Sequence, residues 1–150
     1  MDNWTNFKPR GTVGELAVAK DLILQGYSVF TELGDNSRVD LIAIVNNHPV
    51  KIQVKTSLGE NDVASFDVVK KTFGYKYKYS VDDVDIFALY VMKTDQVLYV
   101  SSEEALNQKS YISFKLGDPG RVNQFKQRFA KDYLDLSEAL ASSGIGVDIG

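Results

Sequence analysis

Three polar side chains stand out in RVDLIAIVNNHPVKIQVKTS, residues 38–57: Asp40, Gln53 and Lys55. A carboxylate, a carboxamide and an ammonium brought together can orient water, ligate a hard cation or move a proton. Held apart they are ordinary surface groups. The composition narrows the choice, because the 150 residues include no Cys and a single His. Disulfide scaffolds, Cys-based zinc sites, Cys nucleophiles and His-rich catalytic clusters are therefore excluded. Any catalysis must run on Asp, Glu, Lys, Tyr or Ser, alone or with a hard metal ion. His48, next to Pro49, reads as a turn residue.

The strands themselves bring the three groups together. Val50, Ile52 and Val54 alternate with Lys51, Gln53 and Lys55, and Leu41, Ala43 and Val45 alternate likewise on the preceding run. Period 2 marks both as β-strands with one apolar face. If they pair antiparallel with those faces matched, paired positions must sum to an odd number such as 93 or 95, since one slip would scramble both faces. Asp40 then lies opposite Gln53 or Lys55, and on their face. Ile42 and Ile44 share that face, which implies partial cover, most simply by the first helix. Charged groups under partial cover cost free energy unless they are paired or ligate a metal. An exposed Asp40–Lys55 ion pair, worth about 0.2–1 kcal/mol, is the plainer alternative.

Those strands sit within one domain spanning 1–150. Thr12 to Gln25 reads as the first helix, with Gly26 as its stop. Thr12 and Glu15 have capping-box spacing, so Glu15 either closes the helix start or takes part in chemistry. Strands follow at 27–33, 39–45 and 50–57, then a weaker region from 59 to 85. That region holds a strand near 65–69 and an extended basic segment at 74–80. IFALYVM (86–92) and QVLYVS (96–101) form a hairpin, SEEAL a short helix and YISFKL (111–116) a last strand. Val122, Phe125, Phe129, Tyr133, Leu136 and Leu140 step by 3 or 4, predicting a long C-terminal helix. Residues 1–10 read as an arm anchored by Trp4 and Phe7, and 141–150 as a frayed tail. The order implies an α/β domain, a mixed sheet flanked by helices. No apolar run approaches a membrane span and residues 1–11 lack a signal-peptide core, so a cytoplasmic protein is expected.

The net charge of −3 counts against nucleic-acid binding only as a mean. KKTFGYKYKY (70–79) holds four Lys and no acid, with aromatic residues interleaved, and the acidic VDDVD follows directly. Such segregation is what a binding face needs. Lys70, Lys71, Tyr75, Lys76 and Lys78, with Arg10, are the candidate DNA contacts; a solvated strand face is the alternative.

A helix reading GTVGELAVAKDLILQGY, a strand, then VD and a QVK strand resembles the PD-(D/E)XK nuclease superfamily. The resemblance covers about residues 10–57, and the chain as a whole is similar to the homing endonucleases of cyanobacterial group I introns in tRNA genes. It implies the restriction-endonuclease-like core, with the helix Glu at Glu15, the strand Asp at Asp40 and the Lys at Lys55. It further implies magnesium-dependent cutting of both strands of a DNA site, leaving 5′-phosphate and 3′-hydroxyl ends. Val39 stands where the signature has Pro, and Gln53 where it has an acid. The implied ligands are then Glu15, Asp40, the Val54 backbone carbonyl and, weakly, Gln53. A double-strand break and recognition of about ten to fifteen base pairs imply a homo-oligomer, a dimer or dimer of dimers. A junction-resolvase-like nuclease, a restriction-type enzyme and a catalytically inactive DNA-binding module are the alternatives.

Overall fold

In the computed structural model the run IFALYV is buried along its whole length, forming β7 (Ile86–Val91). The described residues are 7–34, 36–72, 75–108, 110–117 and 127–143, with backbone alone at 7–9, 70–72 and 75–78. An unbroken apolar run suits a strand covered on both faces. The other strands of its sheet are β1 (Ser28–Thr31), β2 (Leu41–Val45), β3 (His48–Ser57) and β8 (Gln96–Ser101). The order is β1-β2-β3-β7-β8. β3 and β7 run parallel and the other pairs antiparallel, so the sheet is mixed as expected.

The β2–β3 register pairs Leu41 with Ile52 and Ala43 with Val50, a sum of 93. Asn46 and Asn47, both at positive φ, make a two-residue turn that matches strand twist. The turn is therefore shorter than expected, and His48 is the first residue of β3 rather than part of the turn.

Helix α1 (Phe7–Leu24) begins five residues before the expected start. Pro9 lies in its first turn, where a missing N–H breaks no helical bond, so the helix takes in residues 7–10 of the expected arm. Trp4 lies outside the described residues. The far end stops as predicted: Gly26 takes φ 98°, its N–H donates to Ile23 O, and the Tyr27 N–H donates to Leu22 O. That is the Schellman arrangement.

α1 covers the opposite sheet face from the one expected. Val18 and Leu22 pack against Leu41, Ala43, Val45, Val50, Ile52 and Val54. The apolar alternation wins, because each buried aliphatic side chain contributes about 1.5–3 kcal/mol there. The other face, with Phe87, Leu89 and Val91, is covered by Ala64 and Phe66 of β4 (Val63–Asp67), by Ile112 and Phe114 of β9 (Tyr111–Lys115), and by Ala105 of α2 (Ser102–Leu106). β4 and β9 form their own two-stranded sheet. The basic segment is a hairpin, β5 (Val69–Thr72) and β6 (Tyr75–Lys78), rather than one extended run.

The long C-terminal helix is absent from the described residues. Phe129 bridges Lys115, Arg128 O accepts the Lys115 N–H, and Tyr133 O accepts the Tyr99 N–H at 2.7 Å. Carbonyls committed to β9 and β8 cannot serve a helix, so the helical spacing of Phe129 and Tyr133 reflects contacts to two layers; Val122 and Phe125 lie outside the described residues. Helix α3 (Leu136–Ser142) starts only after Asp135, whose carboxylate accepts the Ser137 N–H, and it includes two residues of the expected tail. Ser143 caps that helix, and 144–150 lie outside the described residues.

α1 is tied to β8 and α3 through Asp21 and Gln25: the Tyr99 hydroxyl and Gln25 Nε2 both donate to Asp21 Oδ2, at 2.6 and 2.7 Å, and Gln25 Oε1 accepts the Leu136 N–H at 3.2 Å. Burial first, then Asp21, pushes Tyr99 far above its ordinary range. Burial and a carboxylate partner likewise raise Tyr90 (beside Asp95) and Tyr133 (beside Glu104) to about 12. These folded values exceed the unfolded value of 10.0, so the stability they give is complete below pH 10.0 and is lost as pH rises towards 12. Urea denaturation across that range should show falling stability, less steep in Tyr133→Phe. An equal slope in that variant would exclude the contribution.

Gly14 fixes how closely α1 meets β3. A Cβ there would overlap Thr56 Oγ1 and lie 3.5 Å from Val54 Cγ1. Gly14→Ala should cost about 1–3 kcal/mol despite better helix propensity. Adding Thr56→Ala should recover much of the loss in a thermal melt; no recovery would put the constraint elsewhere.

Candidate active site

Because Gly14 lets the helix sit against β3, the next residue, Glu15, is carried to the edge of the sheet where β2 begins. Glu15 lies in the third turn of α1, not the first, so it cannot reach the helix N-cap and the capping-box alternative falls. It lines a cleft of about 250 Å³ together with Asp40, Thr31, Glu32, Gly34 and Val39.

Asp40 stands one residue before β2, where the backbone ladder gives out. Its N–H donates to Ile52 O at 2.9 Å, and its carboxylate Oδ2 accepts the Val54 N–H at 2.8 Å. The side chain thus replaces a strand partner for β3. The register of 93 sets Asp40 against Gln53 rather than Lys55. Gln53 Nε2 makes a long 3.4 Å contact to Val54 O, so the nitrogen end of the amide faces the carbonyl expected to ligate metal. Turning the amide about its last bond would present the oxygen instead.

Lys55 extends on the Gln53 face, as alternation requires. Its Nζ donates to the Tyr79 hydroxyl at 3.2 Å and lies 4.9 Å from the centre of that ring. The Arg38 guanidinium lies 5.8 Å from the same ring and pairs with Asp83 at 2.6 Å. The Ser80 N–H, then Arg38, hold the Asp83 carboxyl below its ordinary range against the opposing effect of burial.

The structure therefore brings Glu15 and Asp40 to one cleft and Asp40, Gln53 and Val54 to one hydrogen-bonded group. Lys55 shares their strand, with its ammonium at Tyr79. Arg10 is half-buried on α1, more than a turn before Glu15, and does not line the cleft. Lys70, Lys71, Tyr75, Lys76 and Lys78 lie on the β5–β6 hairpin, with Lys71 opposite Lys76 and Lys70 opposite Tyr77. Their side chains are outside the described residues.

Sequence reasoning missed three neighbours: Glu32, Arg38 and Tyr79. Glu32 accepts the Ser37 N–H and hydroxyl across the turn. Acids in turns are common, so no signal set it apart. Tyr79 closes the KYKY run and is nearly buried, at 5% exposure, a contrast the alternating lysines could have flagged.

Among the described residues no three His, Asp or Glu side chains converge closely enough to hold a metal ion. A cation at this cleft would rely on Glu15 and Asp40 plus neutral oxygens from Gln53 and the Val54 backbone. That all-oxygen set fits a hard divalent ion that keeps several waters.

No curated protein matches the chain. The solved structure of a bacterial homing endonuclease, I-Ssp6803I, is similar in fold, with a TM-score of 0.71 at 20% identity. The superposition covers 91% of this chain and 97% of that one. A family model described as PD-(D/E)XK endonuclease matches residues 5–136, which include α1, the β2–β3 hairpin and every residue of the cleft. The chain belongs to the PD-(D/E)XK endonuclease family.

Proposed function

We propose that this endonuclease makes a double-strand break at a specific DNA site, an intron insertion site, by magnesium-dependent hydrolysis of phosphodiesters. The observation that carries the reading is the pairing of Glu15 and Asp40 on one cleft, with Asp40 fixed by the Val54 N–H beside Gln53. Glu15, Asp40, Gln53 and the Val54 carbonyl hold the cation. The chemistry a magnesium ion supplies in such a site is acidification of water and neutralisation of charge on the phosphate oxygens. Lys55 orients or deprotonates the attacking water and offsets negative charge as it develops. Arg10 and the β5–β6 hairpin engage the duplex backbone. A homo-oligomer, dimer or dimer of dimers, presents two such sites to the two strands, and the protein works in the cytoplasm.

The test is magnesium-dependent cleavage of an intron-insertion-site duplex beside a four-way junction and random DNA. Selective cutting of the duplex supports the reading. Preference for the junction would make the enzyme a resolvase, and binding without cutting would make it a DNA-binding module.

Asp40 has two duties that substitutions should separate. Asp40→Asn keeps an acceptor for the Val54 N–H, so its melting temperature should stay near wild type while cleavage falls at least about a hundredfold. Asp40→Ala should lose activity and also about 1–3 kcal/mol, because that N–H loses its partner. An Asp40→Asn enzyme that cuts at the wild-type rate would remove Asp40 from the chemistry.

Gln53 supplies no charge, so cleavage should require millimolar-range magnesium, an order-of-magnitude expectation for a hydrated site with few ligands. Gln53→Glu should stay active, with its rate saturating at lower magnesium, and Gln53→Ala should be substantially impaired. Magnesium titrations of the three rates decide the matter. Superimposable wild-type and Ala curves would reduce Gln53 to a solvated strand residue.

A further inference from the structure

Lys55 is a flexible side chain, and a flexible ammonium is a poor catalyst unless something holds it. One group that meets it is Tyr79, the residue immediately after β6. The Tyr79 ring is nearly buried and packs edge-on against Phe87, with centroids 5.6 Å apart and planes at 86°. Phe87 lies in the centre of the sheet, in register with Gln53. The ring therefore stands on a rigid base beside the strand that carries Lys55.

Two interactions reach Lys55 from this ring: the hydroxyl accepts its Nζ at 3.2 Å, and the ring centre is 4.9 Å away. Both restrain the Lys55 Nζ to one place. The segment bearing Tyr79 is clamped in turn. The Ser80 N–H donates to Asp83 Oδ2 at 2.7 Å, Arg38 pairs with the same oxygen at 2.6 Å, and Lys51 Nζ donates to Asp82 O at 2.8 Å. Lys51 N–H also donates to Asp85 Oδ2 at 2.9 Å. Residues 79–85 are thus fastened to the start of β2 through Arg38 and to β3 through Lys51, the two strands whose ends carry Asp40 and Lys55.

From this geometry we infer that Tyr79 is a positioning residue: it sets the place of the Lys55 ammonium, by its hydroxyl and its ring together. The inference rests on the role of Lys55 in the proposed cleavage. Tyr79 need not touch DNA or the reacting atoms, and its effect should appear in the rate of the chemical step rather than in binding.

Single-turnover cleavage at saturating DNA, DNA affinity without magnesium, and thermal melting separate these effects. Tyr79→Phe keeps the ring and the packing on Phe87 but loses the hydroxyl. Its cleavage rate should drop about tenfold, with affinity and melting temperature unchanged. Tyr79→Leu removes both interactions and should drop the rate about a hundredfold. Lys55→Ala alone should cost about a thousandfold. In that background Tyr79→Phe should cost nothing more on the residual rate, because the group it positions is gone. Tyr79→Phe at the wild-type rate, or losses that multiply in the double variant, would overturn the positioning role. A fully active Lys55→Ala enzyme would instead overturn the site reading on which this one rests. Tyr79→Phe retains the core packing, so the question stays decidable even if Tyr79→Leu fails to fold.

Discussion

Where the backbone ladder of β2 ends, the Asp40 carboxylate becomes the partner of the Val54 N–H. A donor left without a partner in a half-buried strand costs about 1–3 kcal/mol, so the hairpin is held closed by a side chain at the point where chemistry is expected. A carboxylate used this way cannot drift. Its position is tied to the backbone of β3, and the strand next to it carries Gln53 and Lys55 at fixed offsets. Much of the local architecture, including the sum-93 register and the turn at Asn46–Asn47, serves to deliver Asp40 to that N–H.

β3 does two jobs because strand residues alternate. Ile52, Val54 and Thr56 face α1, where Gly14 permits near contact and Glu15 is brought to the rim. Lys51, Gln53 and Lys55 face the other way, towards Tyr79 and the acidic 82–85 segment. The carboxylate from the helix and the ammonium from the strand thus lie on opposite sides of the sheet, one at the cleft and the other at Tyr79.

What could be read from the sequence follows from how local its cause is. The β2–β3 pairing was legible because two alternating apolar sets admit few registers, and α1's stop was legible because Gly26 takes a backbone angle that other residues disfavour. The start of α1 was not, since Thr12 and Glu15 mimic a cap while Pro9 is tolerated in a true first turn. The covered face was misjudged because Ile42 and Ile44 suggest burial; they remain half-exposed beside the exposed Phe30. Phe129 and Tyr133 fit a helical period, but Tyr133 packs on Phe114 of β9, with ring centres 4.8 Å apart. That Glu15 and Asp40 share one cleft, and that Lys55 lies on the same strand as Gln53, could be anticipated from pattern and resemblance. Tyr79 and Arg38 could not, because their contacts, to Lys55 and Asp83, join segments 24 and 45 residues apart.

The parallel pairing of β3 with β7 obliges the chain to leave one end of the sheet and re-enter at the other, and residues 58–85 make that journey. Their middle portion includes the β5–β6 hairpin, which makes its own two-stranded sheet and adds no strand to the central one. Lengthening such an excursion costs little, since each doubling of a loop adds only about 0.6 kcal/mol of closure entropy. The part of the chain richest in lysine and tyrosine is therefore the part whose length and sequence can diverge while β3 and β7 stay paired. A scaffold arranged this way can vary that excursion without redesigning what it folds around.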